Sequence, residues 1–582
     1  MYKIVDGLPQ IVESSLYVDD FTIYSSGSSC RFVERSVQLA ISRLESWCGT
    51  TGFCFSPEKT KCMHICRVRG CPHAAHSLGL FGTPIAPLQE YKYLGVYIDE
   101  KLDWNRHVEH LRRSSSATLS LFRHLTSKSW GADTQSLIRL YVMLLKPRLD
   151  YGSEVYSTSP KIDSLSPIQN EVLRIATGAF RSSPIPSLLA VSGLLPLSHY
   201  RVIKHLNTFL RIASSPNHSL YQALLNVDLS PCAPLTDLSQ RLPRVSFFSR
   251  GHLLCDFLQI NFRQVLPDLL PLFPLWPTVS PSVCTALFTS IKSQVHPEVL
   301  RVRFAEHAQC HAESYAFYTD GAKTPDGAAF AAMGSDGWHL SQRLPAAASI
   351  FTAELLAVRA SVLHCRDIPD NSATIFCDSR STILALASHG SKNALVCQVQ
   401  RHLASLRQRV FLCWVPSHVG VPGNEACDEA ARRALLIPDI ACTCLPRPDL
   451  KNLARRRVRE SWRIAWRDLP DNKLRSFLDV PSVSPASPSS RQWDIHLVRL
   501  RIGHSLLTHG FLMDRSPLPY CPDCIVPLTI RHILVEWPSY SVSRRLHFGA
   551  PTSMRCMLVD CDVSLLGPLY RFTRSIGLLP HL

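Results

Sequence analysis

Between residues 311 and 440 the chain has an ordered succession of short strands and helices, and this order constrains its fold most. Three strand-like segments separated by glycine-rich turns come first: SYAFYTDGA, AAFAAM and HLSQRL. Alternating helices and strands follow, in FTAELLAVRASVLHC, ATIFCD, STILALAS, residues 395–408, VFLCWV and NEACDEAARRALL. Three strands and then alternating helices and strands predict a mixed sheet with helices packed on it.

Four acidic residues lie either at the ends of these predicted strands or on these predicted helices. Asp320 ends the first predicted strand and Asp378 ends the fourth, while Glu354 lies in the first turns of the first helix and Asp428 on the last helix. Singly, each acid has a plain explanation as a turn former or a solvated helix residue. Together they can converge on one point, where their charges repel unless cations hold them. Carboxylate oxygens suit Mg²⁺ or Mn²⁺, and two such ions can promote phosphodiester cleavage.

Four segments resemble, in order, the type 1 ribonuclease H domain: YTDGAKTPDGAAFA, FTAELLAV, IFCDSRS and WVPSHVGVPGNEACDEAA. The resemblance implies a ribonuclease H-like mixed five-stranded sheet with flanking helices. It also implies metal-dependent endonucleolytic cleavage of the RNA strand of an RNA–DNA hybrid. The family's four acidic ligands have matching positions in Asp320, Glu354, Asp378 and Asp428.

Further site residues follow only from this resemblance. The loop histidine of the family matches His418, which would assist proton transfer or product departure, with a structural role in a polar loop as the alternative. The family also reads the shape of the hybrid through 2′-hydroxyls and phosphates. Candidates near such substrate contacts are Gly321, Ser379 and Asn424.

A second acidic cluster, Asp19 and Asp20, lies between strand-like segments in SLYVDDFTIYSS. This segment, FCFSPEKTKCM and YLGVYIDEKLDWNRHVEHL resemble consecutive palm motifs of non-LTR retrotransposon reverse transcriptases; an exposed acidic hairpin is the alternative. A polymerase needs a further aspartate and fingers upstream, but only sixteen residues precede Tyr17. We therefore expect an incomplete polymerase site and no polymerase activity unless a partner chain supplies the rest. The chain resembles a C-terminal fragment of a jockey- or I-like retrotransposon polyprotein.

The tail contains three residues with the spacing of zinc ligands, Cys521, Cys524 and His532. Similar tails of I and jockey elements are usually closed by one more cysteine, but the corresponding position here is Trp537. The site is therefore either lost or closed by another residue, for which Cys556, Cys561 and His509 are the candidates.

We divide the chain into four predicted domains on the basis of these motifs and of the local amino-acid composition. They are a truncated palm and thumb at 1–120, a helical connection region at 121–310, the ribonuclease H domain at 311–440, and a basic helix, linker and Cys/His tail at 441–582. Within the first, helices are predicted at 31–47 and 104–125. In the last, RRRVRESWRIAWR interleaves arginines and tryptophans, which fits either base stacking on nucleic acid or an amphipathic helix that buries its tryptophans.

Composition agrees with a nucleic-acid partner. Lysine and arginine number 62 against 46 acids, and the net charge of +16 favours a polyanion. The 21 cysteines are odd in number and irregularly spaced, and no secretory signal precedes them, so we expect reduced thiols in the nucleus or cytoplasm. No membrane segment is expected, and the oligomeric state is undetermined. A catalytically silent nucleic-acid-binding remnant is the alternative to an active ribonuclease.

Overall fold

The computed structural model describes residues 7–66, 78–230, 232–268, 282–284, 295–368, 372–388, 390–441, 444–481, 490–549, 553–559 and 563–582. The chain divides into two compact units. One comprises Met1–Leu194 with Asn472–Leu582, and the other comprises Leu195–Asp471. Most of the predicted serine- and proline-rich linker near 480–490, and Cys561, lie outside the described residues.

The N-terminal part of the first unit combines small hairpins with helices. Its strands are β1 (Val12–Tyr17), β2 (Asp20–Ser25), β3 (Leu78–Leu80), β4 (Thr83–Ile85), β5 (Glu90–Tyr93) and β6 (Val96–Asp99). Its helices are α1 (Cys30–Thr51), α2 (Asn105–Leu125), α3 (Thr134–Leu140), α4 (Lys146–Asp150), α5 (Ser153–Tyr156), α6 (Ser166–Thr177) and α7 (Ile185–Ser192), with a π-helical turn at Tyr141–Leu145 between α3 and α4. The two helices predicted before residue 126 thus correspond to α1 and α2.

The apolar segment YKYLGVYID has the residue pattern that predicts a single strand, but it forms the hairpin of β5 and β6. The reason lies at its centre, where Leu94 and Gly95 have φ values of 45° and 85°. Positive φ at both central residues is the geometry of a two-residue hairpin turn, which reverses the chain.

The second unit contains helices α8–α16 and strands β7–β12. The helices are α8 (Leu197–Ala213), α9 (Tyr221–Leu225), α10 (Phe247–Phe257), α11 (Pro297–Gln309), α12 (Ile350–His364), α13 (Arg380–Ala387), α14 (Ala394–Ala404), α15 (Pro422–Ala434) and α16 (Arg447–Arg467). The strands are β7 (Ser282–Cys284), β8 (Tyr315–Lys323), β9 (Ala328–Gly334), β10 (His339–Leu344), β11 (Ser372–Cys377) and β12 (Arg409–Trp414).

These six strands form one mixed sheet in the order β10-β9-β8-β11-β12-β7. Strands β10, β9 and β8 are antiparallel, whereas β8, β11, β12 and β7 run parallel. The predicted mixed α/β fold and its five strands are confirmed. The sixth strand, β7, was not predicted, because a three-residue strand has too little periodicity to be recognised in sequence.

Helices cover both faces of this sheet. Helix α12 buries nearly every side chain from Thr352 to Val362, since it packs between the sheet and α14. Apolar side chains of α11, Leu300 and Phe304, pack with Phe376 of β11 and with β12. The acids of interest therefore come from strands and helices held by a continuous core.

The burial of the tryptophans in the basic helix α16 decides between the two interpretations of this segment. Trp462 and Trp466 are 8% and 0% exposed, and α16 packs on α8. The amphipathic interpretation is thus the right one, and stacking of these two rings on bases is excluded in this fold because no ring face is accessible.

The first unit ends with six short helices after residue 490. They are α17 (Arg491–Ile502), α18 (Leu506–His509), α19 (Phe511–Asp514), α20 (Ser541–Phe548), α21 (Met554–Leu558) and α22 (Val563–Ser575). Through the parts of the chain that are described, no helix combines the length and apolar character needed to cross a membrane.

Candidate active site

Two of the four acids are brought together by the parallel pairing of β8 with β11. The last pair of this ladder is Thr319 with Cys377. Asp320 and Asp378 are the next residues on the two chains, so they lie side by side at the carboxyl end of the parallel strands.

The prediction that Asp320 ends its strand is wrong. Strand β8 continues to Lys323, because Asp320 and the three residues after it still pair with the antiparallel neighbour β9. Asp320 therefore stands where parallel pairing on one side stops and antiparallel pairing on the other continues. Its backbone is held more firmly than that of a residue in a turn. Asp378, by contrast, directly follows the last residue of β11, as predicted.

Glu354 joins these two acids from helix α12. The helix begins after Ser349, whose hydroxyl accepts a hydrogen bond from the Thr352 amide, so Glu354 lies in its second turn. Gly321 permits the close approach of this helix, since a Cβ there would stand 3.0 Å from the Glu354 nitrogen. Carboxylate oxygens of Asp320, Glu354 and Asp378 all lie within 4.8 Å of one another.

Asp428 contributes the fourth carboxylate from α15, where basic groups surround it. Its Oδ2 lies 2.8 Å from Arg432 Nη2 and 3.6 Å from His418 Nδ1. The charge of Asp428 also acts on Asp320, which links it to the other three acids. The acidic quartet, by which we mean Asp320, Glu354, Asp378 and Asp428, is thus one continuous cluster.

Burial and mutual repulsion make charge costly in this quartet. Asp320 and Glu354 are each 5% exposed. Burial, followed by the charges of Asp378 and Asp428, raises the pKa of Asp320 to about 8. Burial and the charges of Asp378 and Asp320 raise the pKa of Glu354 well above its usual value, while the Gly321 amide opposes both shifts. A cation between these carboxylates would relieve this cost.

His418 lies at the rim of the quartet with an exposed side chain, and its φ of 54° places it in the left-handed region. The neighbouring Glu425 was not predicted as a site residue. It accepts a hydrogen bond from the Gly420 amide at 3.1 Å, and its carboxylate lies within 4.8 Å of the ligand atoms of His418 and Asp428. The i, i+3 spacing of Glu425 and Asp428 on one helix was a usable signal for it.

Two further side chains that were not predicted touch the quartet. The indole Nε1–H of Trp414 donates to the Asp378 carbonyl oxygen at 2.9 Å, which fixes the backbone just after β11. The Cys377 thiol lies 3.9 Å from Glu354 Oε2, and burial raises its pKa well above the usual value, so it stays a neutral donor. Neither contact has a signature in the sequence, because both depend on strand pairing.

The three substrate candidates have different surroundings. Ser379 caps α13, since its hydroxyl accepts from the Thr382 amide and contacts the Thr382 hydroxyl at 2.9 Å. Asn424 is 2% exposed, and its Oδ1 has no hydrogen-bond partner among the described residues. Gly321 packs against α12, so its lack of a side chain already serves the fold.

The N-terminal acidic pair is arranged very differently. Asp19 lies in the turn between β1 and β2, and Asp20 is the first residue of β2, paired with Tyr17. Both acids are exposed. Among the described residues, neither belongs to a group of three or more potential metal ligands.

The tail brings its three predicted zinc ligands together. Ligand atoms of Cys521, Cys524 and His532 lie within 4.8 Å of one another. His532 is 4% exposed; its Nδ1 lies 3.5 Å from Glu536 Oε2, and its Nε2 has no partner among the described residues. The Trp537 ring stacks on His532 at 5.8 Å.

Two of the candidates for a fourth tail ligand, His509 and Cys556, are not part of this group, and Cys561 lies outside the described residues. His509 contacts Lys473 Nζ at 2.8 Å and stacks on His504. Cys556 is exposed and accepts a hydrogen bond from the Ser553 hydroxyl. The part of the tail that the structure describes therefore offers three ligands.

Comparison with known proteins agrees with this geometry. Residues 312–436 match the RNase H family. The chain is 22% identical over 201 residues to a 115 kDa protein in the type-1 retrotransposable element R1DM of Drosophila melanogaster, a match that covers 34% of this chain and 19% of the relative. It is 24% identical over 168 residues to the RNA-directed DNA polymerase from mobile element jockey of the same species, covering 28% and 18%. These matches span less than a fifth of the relatives' length.

Proposed function

Because this chain carries a ribonuclease H domain and is similar to jockey- and R1-type retrotransposon proteins, we propose that it hydrolyses the RNA strand of RNA–DNA hybrids. The reaction is endonucleolytic, of the type 1 class and dependent on divalent cations. The grouping of three carboxylates, from within β8, from the end of β11 and from α12, with Asp428 of α15 acting on Asp320, carries this proposal.

The donor set fits hard divalent cations. All four side chains offer oxygen ligands, the kind that Mg²⁺ and Mn²⁺ prefer. Charge in the buried pair Asp320 and Glu354 is unfavourable without a counterion, as the raised pKa of each carboxyl indicates. Two bound ions would stabilise the attacking water and the leaving 3′ oxygen. The protein itself holds the four carboxylates in place and keeps bulk water from the inner pair.

His418 is positioned to handle protons at the exposed rim. It lies on a loop beside the quartet, and Asp428 at 3.6 Å orients its ring. A histidine side chain beside the reacting groups is a common participant in general acid–base catalysis. We assign it to proton transfer or product departure.

Recognition of the hybrid is assigned to the surface beside the quartet. Ser379 presents a partly exposed hydroxyl next to Asp378, whereas Asn424 is 2% exposed, so its amide would reach the hybrid only after a local rearrangement. We propose that these polar groups and the backbone at Gly321 contact the sugar–phosphate backbone, a mode that reads shape and not base sequence.

The test is cleavage of a labelled RNA–DNA hybrid by the full chain, with Mg²⁺, with Mn²⁺ and with EDTA, beside Asp378→Asn. We expect internal cuts in the RNA strand only, loss of cutting with EDTA and loss in the variant. Duplex RNA and duplex DNA of the same sequence serve as substrate controls, and Asp367→Asn, an exposed acid of the same domain, serves as the variant control.

If the folded protein binds the hybrid without cutting it under any of these conditions, the proposal fails. The alternative, a catalytically silent nucleic-acid-binding remnant, would then account for the net charge of +16. Polymerase activity is not part of the proposal, since the described surroundings of Asp19 and Asp20 offer no third ligand. Primer extension by this chain alone would contradict that view.

We further propose that the tail cluster of Cys521, Cys524 and His532 binds zinc. The support is the free Nε2 of His532, while Glu536 faces the other ring nitrogen as carboxylates do beside metal-bound histidines. Zinc content of the purified chain should fall by about one equivalent in Cys524→Ser. Unchanged zinc content in that variant would rule the tail site out.

A further inference from the structure

A second group of cysteine and histidine side chains lies within the ribonuclease H sheet, outside the acidic quartet. It consists of Cys284 on β7, Cys413 on β12, His307 on α11 and His311 just after α11. Ligand atoms of Cys284, His307 and Cys413 lie within 4.8 Å of one another. No feature of the sequence motifs marked these residues, since they are far apart along the chain.

Strand pairing and one helical turn produce this group. Cys284 and Cys413 are directly paired residues of the neighbouring parallel strands β7 and β12, so their thiols lie on the same face of the sheet. Helix α11 covers this face through Leu300 and Phe304. His307 in the last turn of α11 and His311 just after the helix both face the strands, since each ring contacts one of the two thiols, and their ring centroids lie 5.2 Å from each other.

The distances approach those of a tetrahedral zinc site. Cys284 Sγ lies 4.0 Å from His307 Nδ1, and Cys413 Sγ lies 3.8 Å from His311 Nε2. Zinc bonds of about 2.3 Å to sulfur and about 2.0 Å to nitrogen, at tetrahedral angles, would separate two such ligand atoms by roughly 3.6 Å. Small side-chain rotations, above all of His311, complete the set.

The polar atoms of these cysteine and histidine side chains make few good hydrogen bonds with the described part of the protein. The Nδ1 atom of His307, which would be the ligand, faces the Cys284 thiol at 4.0 Å, while its buried Nε2 has no hydrogen-bond partner among the described residues. Thiols are weak donors and weak acceptors, so thiol–imidazole contacts near 4 Å compensate little for burying these groups. Two sulfur and two imidazole ligands form the donor set of closed structural zinc sites.

We propose that Cys284, His307, His311 and Cys413 bind one structural zinc ion. The ion ties the three-residue edge strand β7 and the end of α11 to the central part of the sheet. A strand this short gains little from its own hydrogen bonds, so a metal cross-link gives a reason for its pairing with β12. This site is separate from the quartet and from the tail cluster, and it requires no ribonuclease activity.

The test measures zinc per chain in the full-length protein purified under reducing conditions. Cys284→Ser and His311→Gln should each lose about one equivalent of zinc relative to the unmodified protein. Cys310→Ser is the matched control, because Cys310 is an exposed thiol on the same segment between the two histidines, and it should lose none. Cys524→Ser distinguishes the tail site from the sheet site. Combined with Cys284→Ser it should lower the zinc content by about two equivalents.

Alkylation of the native, unmodified protein gives a measurement free of folding defects. Cys284 should resist alkylation until a chelator is added, whereas Cys310 should react under both conditions. Equal zinc content in Cys284→Ser and the unmodified protein would overturn the proposal, as would alkylation of Cys284 that does not change with the chelator. A Cys284–Cys413 disulfide in the freshly purified protein would overturn it as well.

Discussion

The acidic quartet and the Asp19–Asp20 pair are both clusters of carboxylates next to β-strands, yet they differ in burial and in the repulsion between their charges. In the quartet, two acids are 5% exposed, and neighbouring charges together with burial raise the pKa of Asp320 to about 8. The hairpin acids are exposed and stand without a third potential ligand among the described residues. Convergence and burial, and not the number of adjacent acids, therefore make charge on these carboxylates costly.

The largest effect should come from removing one acid of the quartet. Asp320→Asn should lower the rate of hybrid cleavage by about 10²–10³-fold or more, because one electrostatic support of the transition state is lost. The control is the double variant Asp19→Asn, Asp20→Asn, in which the rate of hybrid cleavage should not change. If the hairpin substitutions reduced cleavage as strongly, the contrast between the two clusters would be false.

His418→Ala should have the next largest effect, a decrease in kcat on the order of 10²-fold with little change in KM. The reason is that His418 lies at the rim and not among the inner carboxylates. His339→Ala, at the start of β10, is the control. An unchanged kcat in His418→Ala would remove His418 from proton transfer and product departure.

Metal affinity should depend on pH in the quartet. Burial and neighbouring charges raise the pKa of Asp320 to about 8, so a cation must displace a proton below that pH. Affinity for Mg²⁺ should weaken about tenfold per pH unit between pH 8 and 6 for each displaced proton. Calorimetric titrations at three pH values measure this slope, and an affinity independent of pH would contradict the electrostatics described above.

The smallest effect concerns stability without metal. Between roughly pH 4 and 8 the folded chain holds a proton on Asp320 that the unfolded chain has released, so stability should fall as pH rises through this window. At pH 8 and in EDTA, Asp320→Asn should therefore raise the free energy of unfolding by at least about 1 kcal/mol, or at least about 2–4 °C in Tm. Melting of Asp19→Asn should show no gain, since Asp19 is exposed.

The order of strands and helices from 311 to 440 could be read from the sequence because hydrophobic periodicity and turn residues are local signals. The four acids could also be picked out, because each lies in or next to one of these elements and matches a position of the ribonuclease H family that the segments resemble. The length of β8 beyond Asp320 could not be predicted, because it depends on how far β9 pairs with it. The contribution of Glu425 was recognisable in principle from its helical spacing but was not predicted.

The local sequence pattern therefore predicted which strands and helices form. Residue type alone identified the charged side chains and those that are able to bind metals. The tertiary structure alone decided which of those groups are buried together. Pairing of β7 with β12 brings Cys284 to Cys413, packing of α16 on α8 hides Trp462 and Trp466, and the end of one parallel ladder sets Asp320 beside Asp378. The physical reason is that burial and coulombic repulsion act between residues distant in sequence, so they exist only after the sheet has assembled.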